Sequence, residues 1–382
     1  MSLLRDLLPT PLAADVDLPI RASDQRLDTP AILVDLDVVE ANIERMASFA
    51  RRAGLALRPH IKTHKSVAMA RRQIAAGATG ICCATATEAE AMIAGGIRDV
   101  LLAYPLVGAR KLERIAPLVV DRTLTLVTDS LPVTASYRQL AQNVGHPIPV
   151  MVEVDSGMHR IGVDPGKVVE VVRDVTRGNE LEFRGILTHA GHSHDAKDQL
   201  GIEAVARQEA ALMGAVREEL EGAGFEVPVV SAGSTITAPY LKASDGITEI
   251  RPGTYIYNDL RTLGTYACTP DSIAATALAT VVSLDGERVT IDAGSKTLTM
   301  SRDGSFGFGH LRDRPASRFT RLSEEHGVLS VPDALRHLAV GDRVEIMPIH
   351  VCVWMDLQRE IYGTRNGRVV ERIAVEAMRH SL

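Results

Sequence analysis

Leu55-Ala56-Leu57-Arg58-Pro59-His60-Ile61-Lys62-Thr63-His64-Lys65 ends an apolar run on a lysine set among imidazoles and a guanidinium. The run reads as a short strand, and side chains at every second strand position share a face, so His60, Lys62 and His64 are expected to point the same way. An amine with cationic neighbours and apolar walls has its charged form disfavoured, which frees it to form a Schiff base with a carbonyl compound. A basic strand end wetted by solvent is the other reading, because lysine and arginine are mostly exposed.

Working outward, the same arrangement recurs along the chain. β-Rich runs at 31–35, 55–61, 80–84, 100–103, 123–127, 149–154, 183–187 and 227–230 alternate with helical patterns at 38–53, 88–94, 109–118, 167–176 and 202–221. That alternation predicts parallel strands with covering helices. Eight or nine such units over about 230 residues fit a TIM-like (β/α)8 barrel better than an open doubly wound sheet. Neither a GxGxxG nor a GxxxxGK[ST] nucleotide loop is present. Barrel chemistry gathers at the carboxyl ends of the strands, and there the reactive residues fall: Lys62, Thr85, Tyr104, Asp129, the stretches 155–160 and 189–194, and 231–235.

After about Cys268 the texture changes to β-rich segments with the hairpin signals Asp285-Gly286 and Asn366-Gly367. The α/β barrel is therefore expected over 29–265, with a C-terminal, mostly antiparallel β domain over 266–382 on which an N-terminal segment, 1–28, packs. The stretch 304–317 reads as a loop. With 382 residues, 46% hydrophobic and 24% charged, the chain has the composition of an ordinary globular protein large enough for two cores. A net charge of -6 without a long basic run argues against a nucleic-acid partner. The N-terminal segment carries Arg5, Asp6, Asp15, Asp17 and Arg21 and lacks a long apolar core, so neither a signal peptide nor a membrane span is expected, and the cytoplasm is the expected compartment. Four cysteines, two of them adjacent at Cys82 and Cys83, make no disulfide framework and leave thiols for packing or metal.

Ser231-Ala232-Gly233-Ser234-Thr235 follows a strand and can present N–H groups and hydroxyls to an anion; Gly253-Thr254-Tyr255 could add a second contact, although Gly-Ser turns are commonplace. Together with the lysine they suggest a phosphorylated aldehyde cofactor. Arg160 could approach a cofactor ring, or lie on the surface like most arginines. His189 and His192 flank Gly191 and suit stacking or proton transfer, whereas His194 belongs to a polar loop. His350-Val351-Cys352, on an expected strand at 344–353, aims an imidazole and a thiol at one side and could bind a divalent metal whose open positions take water or substrate oxygen. A core histidine beside a buried cysteine is the alternative.

The stretches 58–65, 188–193, 231–235, 249–255, 292–296 and 350–352 together resemble the D-threonine aldolase and D-serine dehydratase family, over roughly Thr29 to the C-terminus. The resemblance implies a pyridoxal-phosphate enzyme of the alanine-racemase-like fold, with a barrel, a β domain and a divalent metal. It implies that Lys62 carries the cofactor, that Gly233, Ser234, Thr235 and Tyr255 hold its phosphate, that Arg160 and His189 flank it, and that His350 and Cys352 bind manganese, magnesium or zinc. The expected substrate is a D-β-hydroxy amino acid, cleaved to glycine and an aldehyde with His192 as base, and the expected assembly is a homodimer. Dehydration of D-serine or D-threo-3-hydroxyaspartate, with Lys62 as α-proton base, is the alternative. His192 favours the aldolase, Cys352 the dehydratase, and the segment 353–356 departs from the family's small-residue pattern. A non-catalytic pyridoxal-phosphate-handling protein and a metal-dependent barrel hydrolase are the readings from other classes.

Overall fold

Eight short parallel strands form one sheet: Ala56–Leu57, Ile81–Cys83, Val100–Pro105, Leu124–Thr128, Ile148–Glu153, Leu181–Leu187, Val229–Ala232 and Glu249–Ile250. From Ile81–Cys83 onward each pairs with the next in the chain, and Glu249–Ile250 pairs with Ala56–Leu57. A parallel bridge between His60 and Cys82 then joins the two ends, so the sheet closes into a barrel. The computed structural model describes residues 11–13, 16–120, 122–286, 288–330 and 337–378. These fall into two compact units, and the barrel lies in the one made of Ile43–Lys62 and Met69–Gly253.

The strands close in this way because they are apolar on both faces, as parallel strands covered by helices must be. Every residue of Ile148–Glu153 is buried. Cys82, Leu101, Val127, Met151 and Leu187, one from each of five neighbouring strands, meet in one cluster, and side chains of this kind fill a barrel interior in layers. Outside, Val168–Val175 buries Val168, Val171, Val172 and Val175, the spacing of a helix with one apolar face. Helix ends are set locally: Thr85 caps Ala86–Ala94 by accepting from Glu88 N–H, and Gly145 closes Leu131–Val144 at φ +72°.

Gly185 pairs with Val229 on the neighbouring strand. Its φ is +130°, and a Cβ there would stand 2.0 Å from the Val229 carbonyl oxygen. Since backbone cannot yield as a side-chain tip can, Gly185→Ala is expected to cost about 3 kcal/mol or more. Urea unfolding of the variant checks this; a midpoint equal to that of the parent would mean the two strands separate freely.

The second unit comprises Met1–Asn42, Thr63–Ala68 and Thr254–Leu382. Its mostly antiparallel sheet is built on Ala275–Asp285, which pairs with Ala31–Asp35, Arg288–Ile291 and Arg343–Pro348. The run 31–35, counted from its pattern as the first barrel strand, therefore belongs here, between Ala275–Asp285 and Glu360–Arg365. It is apolar because it is interior to this sheet. At the turn between Glu360–Arg365 and Arg368–Ala374, Asn366 and Gly367 take φ +50° and +69°, the left-handed pair that a tight hairpin requires. Ile20–Arg21 pairs with Arg368–Ala374, and Leu12, Ile20 and Leu27 join Ala31, Leu33, Leu278, Tyr362 and Val369 in one core. Residues 1–10, 14 and 15 of the N-terminal segment lie outside the described residues. Within 304–317, Gly309–Leu311 is a strand paired with Arg343–Pro348 rather than loop. No described helix is long and apolar enough to cross a membrane.

Candidate active site

The lysine-bearing stretch leaves the sheet earlier than its pattern suggests. After the bridge at His60 the chain turns into a 3-10 helix, Ile61–Thr63, and Lys65 takes φ +52°. His60, Lys62 and His64 thus do not line one strand face. Lys62 is half-buried at the end of the first barrel strand, its N–H donating to His60 Nδ1 at 3.3 Å.

The carboxyl end of Ile148–Glu153 leads into a loop built around Asp155, whose Oδ1 accepts from the N–H groups of Gly157 and His159 at 2.9 and 3.0 Å. Gly162 closes that loop with φ +115°, where a Cβ would lie 2.6 Å from Asp155 N. Arg160 is carried exposed on it. Arg160 and His189 both line a small empty volume of about 170 Å³ with Glu153 and Ser156. His189 and His192 follow Leu181–Leu187. Burial, followed by the charges of Lys62, Arg251 and Arg160, pushes His189 well below the ordinary imidazole range, so it is neutral at physiological pH. His192 Nδ1 is buried with no hydrogen-bond partner among the described residues.

After Val229–Ala232, Gly233 takes φ +79°, and a Cβ on it would sit 2.9 Å from Leu241 Cδ1. Here the turn needs glycine. Ser234 N–H donates to Thr237 Oγ1 at 2.8 Å, and Thr235 Oγ1 accepts from Gly253 N–H at 3.2 Å. A turn of small residues and hydroxyls at the end of a barrel strand fits a phosphate, and the neutral imidazole and half-buried amine after other strands of the same barrel fit an aldehyde-bearing aromatic ring.

In the other unit, Tyr255 is buried on the 3-10 turn Thr254–Ile256. His350 and Cys352 are not on a strand: Arg343–Pro348 ends at Pro348, and His350 is the residue before the helix Val351–Asp356. The pair is nevertheless together. Burial would lower His350, but hydrogen bonds to Asp259 and Cys352 outweigh it and raise the imidazole to about 10. Asp259, with its side chain fully buried, accepts from His350 Nδ1 at 3.2 Å and from Val351 N–H at 3.1 Å. Nδ1 is thereby engaged by Asp259, and the imidazole also bonds to the Cys352 side chain, so the two candidate donors face each other. Cys352 Sγ lies 3.3 Å from the hydroxyl of Thr63, the residue after Lys62 in the chain, and 3.8 Å from that of Thr254. No group of three or more His, Cys, Asp or Glu forms a metal cage among the described residues. An imidazole and a thiol with water or substrate oxygen completing the shell is the donor set of an open metal site, which this pair fits.

Three buried charged groups in the barrel unit were given no role by the sequence, although Arg251 lies in the stretch 249–255. Arg251 donates to Ser231 Oγ at 2.6 Å and to the Thr188 carbonyl, and Ser231 Oγ donates to Glu249 Oε1 at 2.6 Å. Glu153 is raised to about 7 by burial, against the lowering charges of Arg251 and Arg160. Glu209 lies on the helix Gln199–Gly222. By contrast, Cys82 and Cys83 are buried packing thiols, and burial pushes Cys82 up to about 12.

Residues 34–260 match the family described as alanine racemase, N-terminal domain, and 274–364 match that described as putative serine dehydratase domain. The chain is 33% identical over 348 residues to a D-threo-3-hydroxyaspartate dehydratase of Delftia sp. (strain HT23), covering 85% of this chain and 91% of that protein. The crystal structure of D-threonine aldolase from Filomicrobium marinum superposes with a TM-score of 0.89 at 30% identity, covering 96% of this chain and 99% of that one. A variant of D-threo-3-hydroxyaspartate dehydratase in its metal-free form gives 0.85 at 30% identity, covering 93% and 98%.

Proposed function

Because the chain belongs to the D-threonine aldolase and D-serine dehydratase family, with the alanine-racemase-like fold, we propose that it is a pyridoxal-phosphate- and divalent-metal-dependent lyase that cleaves D-β-hydroxy-α-amino acids to glycine and an aldehyde. Lys62 is the anchor for the aldehyde carbon of the cofactor, Gly233, Ser234, Thr235 and Tyr255 are its phosphate partners, and Arg160 and His189 flank its ring. When bound, pyridoxal phosphate supplies an electron sink for the Cα carbanion, and a divalent metal on His350 and Cys352 supplies Lewis acidity toward the β-hydroxyl.

The chain's own residues then have defined tasks. His192 takes the proton of the β-hydroxyl as the Cα–Cβ bond breaks, the Cα is reprotonated, and glycine and the aldehyde leave. His189, held neutral by burial and surrounding cations, packs against the ring without adding positive charge. The observation that carries the aldolase reading is the buried, unpartnered Nδ1 of His192, which leaves that imidazole without a structural hydrogen bond to account for it.

A dehydratase reading is favoured by Cys352, a soft thiol ligand, and by the 33% identity to a hydroxyaspartate dehydratase. There Lys62 would remove the α-proton and the β-hydroxyl would leave as water. Product analysis separates the two readings. Purified protein given D-threonine, pyridoxal phosphate and, separately, zinc or manganese is expected to yield glycine and acetaldehyde, with His192→Gln slowing the reaction about 10²-fold. Formation of 2-oxobutanoate and ammonia instead would assign the dehydratase.

A further inference from the structure

The helix Gln199–Gly222 buries Ile202, Ala206, Glu209, Met213, Val216 and Leu220, alternately four and three residues apart. That is a core-facing stripe with a carboxylate in an apolar place. Glu209 is 1% exposed, and a buried carboxylate is costly unless its bonds compensate. Its Oε1 accepts from two backbone N–H groups, those of Ala190 and Gly233, each at 3.3 Å. The Thr237 side chain also bonds to the carboxylate, and Thr237 Oγ1 accepts from Ser234 N–H at 2.8 Å. Oε2 is buried with no hydrogen-bond partner among the described residues. Ala190 lies between His189 and His192 after one strand, and Gly233 opens the hydroxyl turn after the next. One carboxylate therefore straps two neighbouring turns.

Resting on the function proposed above, we propose that Glu209 is a positioning residue that fixes the His189–His192 turn and the Gly233–Thr235 turn in one mutual register, so that cofactor affinity and the placing of the base depend on the same side chain. A leucine would pack the stripe equally well but would leave both N–H groups unpaired; a glutamine would keep an acceptor oxygen.

Burial raises the Glu209 carboxyl to about 6, against the N–H bonds and Arg251 that lower it. A carboxyl raised on folding contributes stability below its unfolded value that is lost as pH rises through the folded one. At pH 8 the ionised carboxylate is therefore less favourable in the fold than its protonated form would be.

The test uses the cofactor-free full chain as parent, Glu209→Leu and Glu209→Gln, with amide hydrogen exchange and equilibrium dialysis of pyridoxal phosphate at pH 8. In Glu209→Leu the amides of 190–193 and 233–234 are expected to lose protection together at least tenfold, and the dissociation constant to rise at least tenfold. Glu209→Gln is expected to restore both to within threefold. Parent-like protection at both turns in Glu209→Leu, protection lost throughout the barrel, or no rescue by glutamine would each overturn the strap. If the parent binds no pyridoxal phosphate, the functional reading fails and the exchange arm alone judges the strap; parent binding with unchanged exchange in Glu209→Leu sinks the strap alone.

Discussion

Lys62→Ala is expected to lose turnover by at least about 10³-fold and, with it, the visible absorbance that pyridoxal phosphate gives on a lysine. The effect should be chemical rather than structural. Lys62 donates through its backbone N–H, and its ammonium makes no hydrogen bond or ion pair among the described residues, so alanine leaves no partner stranded. Unfolding free energies of parent and variant should agree within about 0.5 kcal/mol, the range of substitutions that break no specific interaction. The rival anchor, three residues on, is Lys65, but it is buried and ion-paired to Asp356 at φ +52°, a structural commitment that Lys62 lacks. Borohydride reduction of the holoenzyme followed by peptide mass mapping decides between them: label on the peptide holding Lys62 and none in Lys62→Ala is the expected outcome. A variant that stays coloured and is labelled elsewhere would end the assignment of Lys62.

What the chain discloses about itself follows from how each element is stabilised. Parallel strands buried on both faces write near-continuous apolar runs, and seven of the eight barrel strands could be located from those runs alone. Glu249–Ile250 escaped because it is only two residues long and one of them is a buried, ion-paired glutamate. The run at 31–35 has the same apolar texture as a barrel strand, and only its distant partners, Ala275–Asp285 and Glu360–Arg365, assign it to the other sheet. Local backbone geometry was less legible. Alternation carried the strand through Lys62, whereas the ladder bonds end with His60 N–H donating to the Pro252 carbonyl, and the chain then tightens into a 3-10 turn. Likewise Pro348, which cannot donate to a ladder, ends the strand before His350. Glu209 did leave a trace, a charged residue at a core position of a helical stripe, but its purpose lies in two N–H groups from other loops, which no spacing rule connects. Asp259 is similar: its role appears only once His350 Nδ1 and Val351 N–H are seen converging on one oxygen.

The second large effect is expected at that convergence. His350→Ala and Cys352→Ala should each weaken metal binding at least 100-fold and lower turnover by about 10² to 10³ at subsaturating metal, since each removes one of the two proposed protein donors. Asp259→Asn tests the orientation separately. The carboxylate holds His350 through Nδ1 and is itself fixed by Thr262 N–H at 2.8 Å, so the amide should keep the helix start but loosen the imidazole, costing about 10- to 100-fold in metal affinity. Cys352→Asp distinguishes donor softness from mere charge: a carboxylate favours hard ions, so its activity is expected to shift from zinc toward manganese or magnesium rather than vanish. Competition with a chromophoric chelator, metal content by mass spectrometry and turnover with each ion give the three readings. Full turnover of Cys352→Ala after exhaustive chelation would remove the metal from the reaction and leave His192 and Lys62 to carry the chemistry alone.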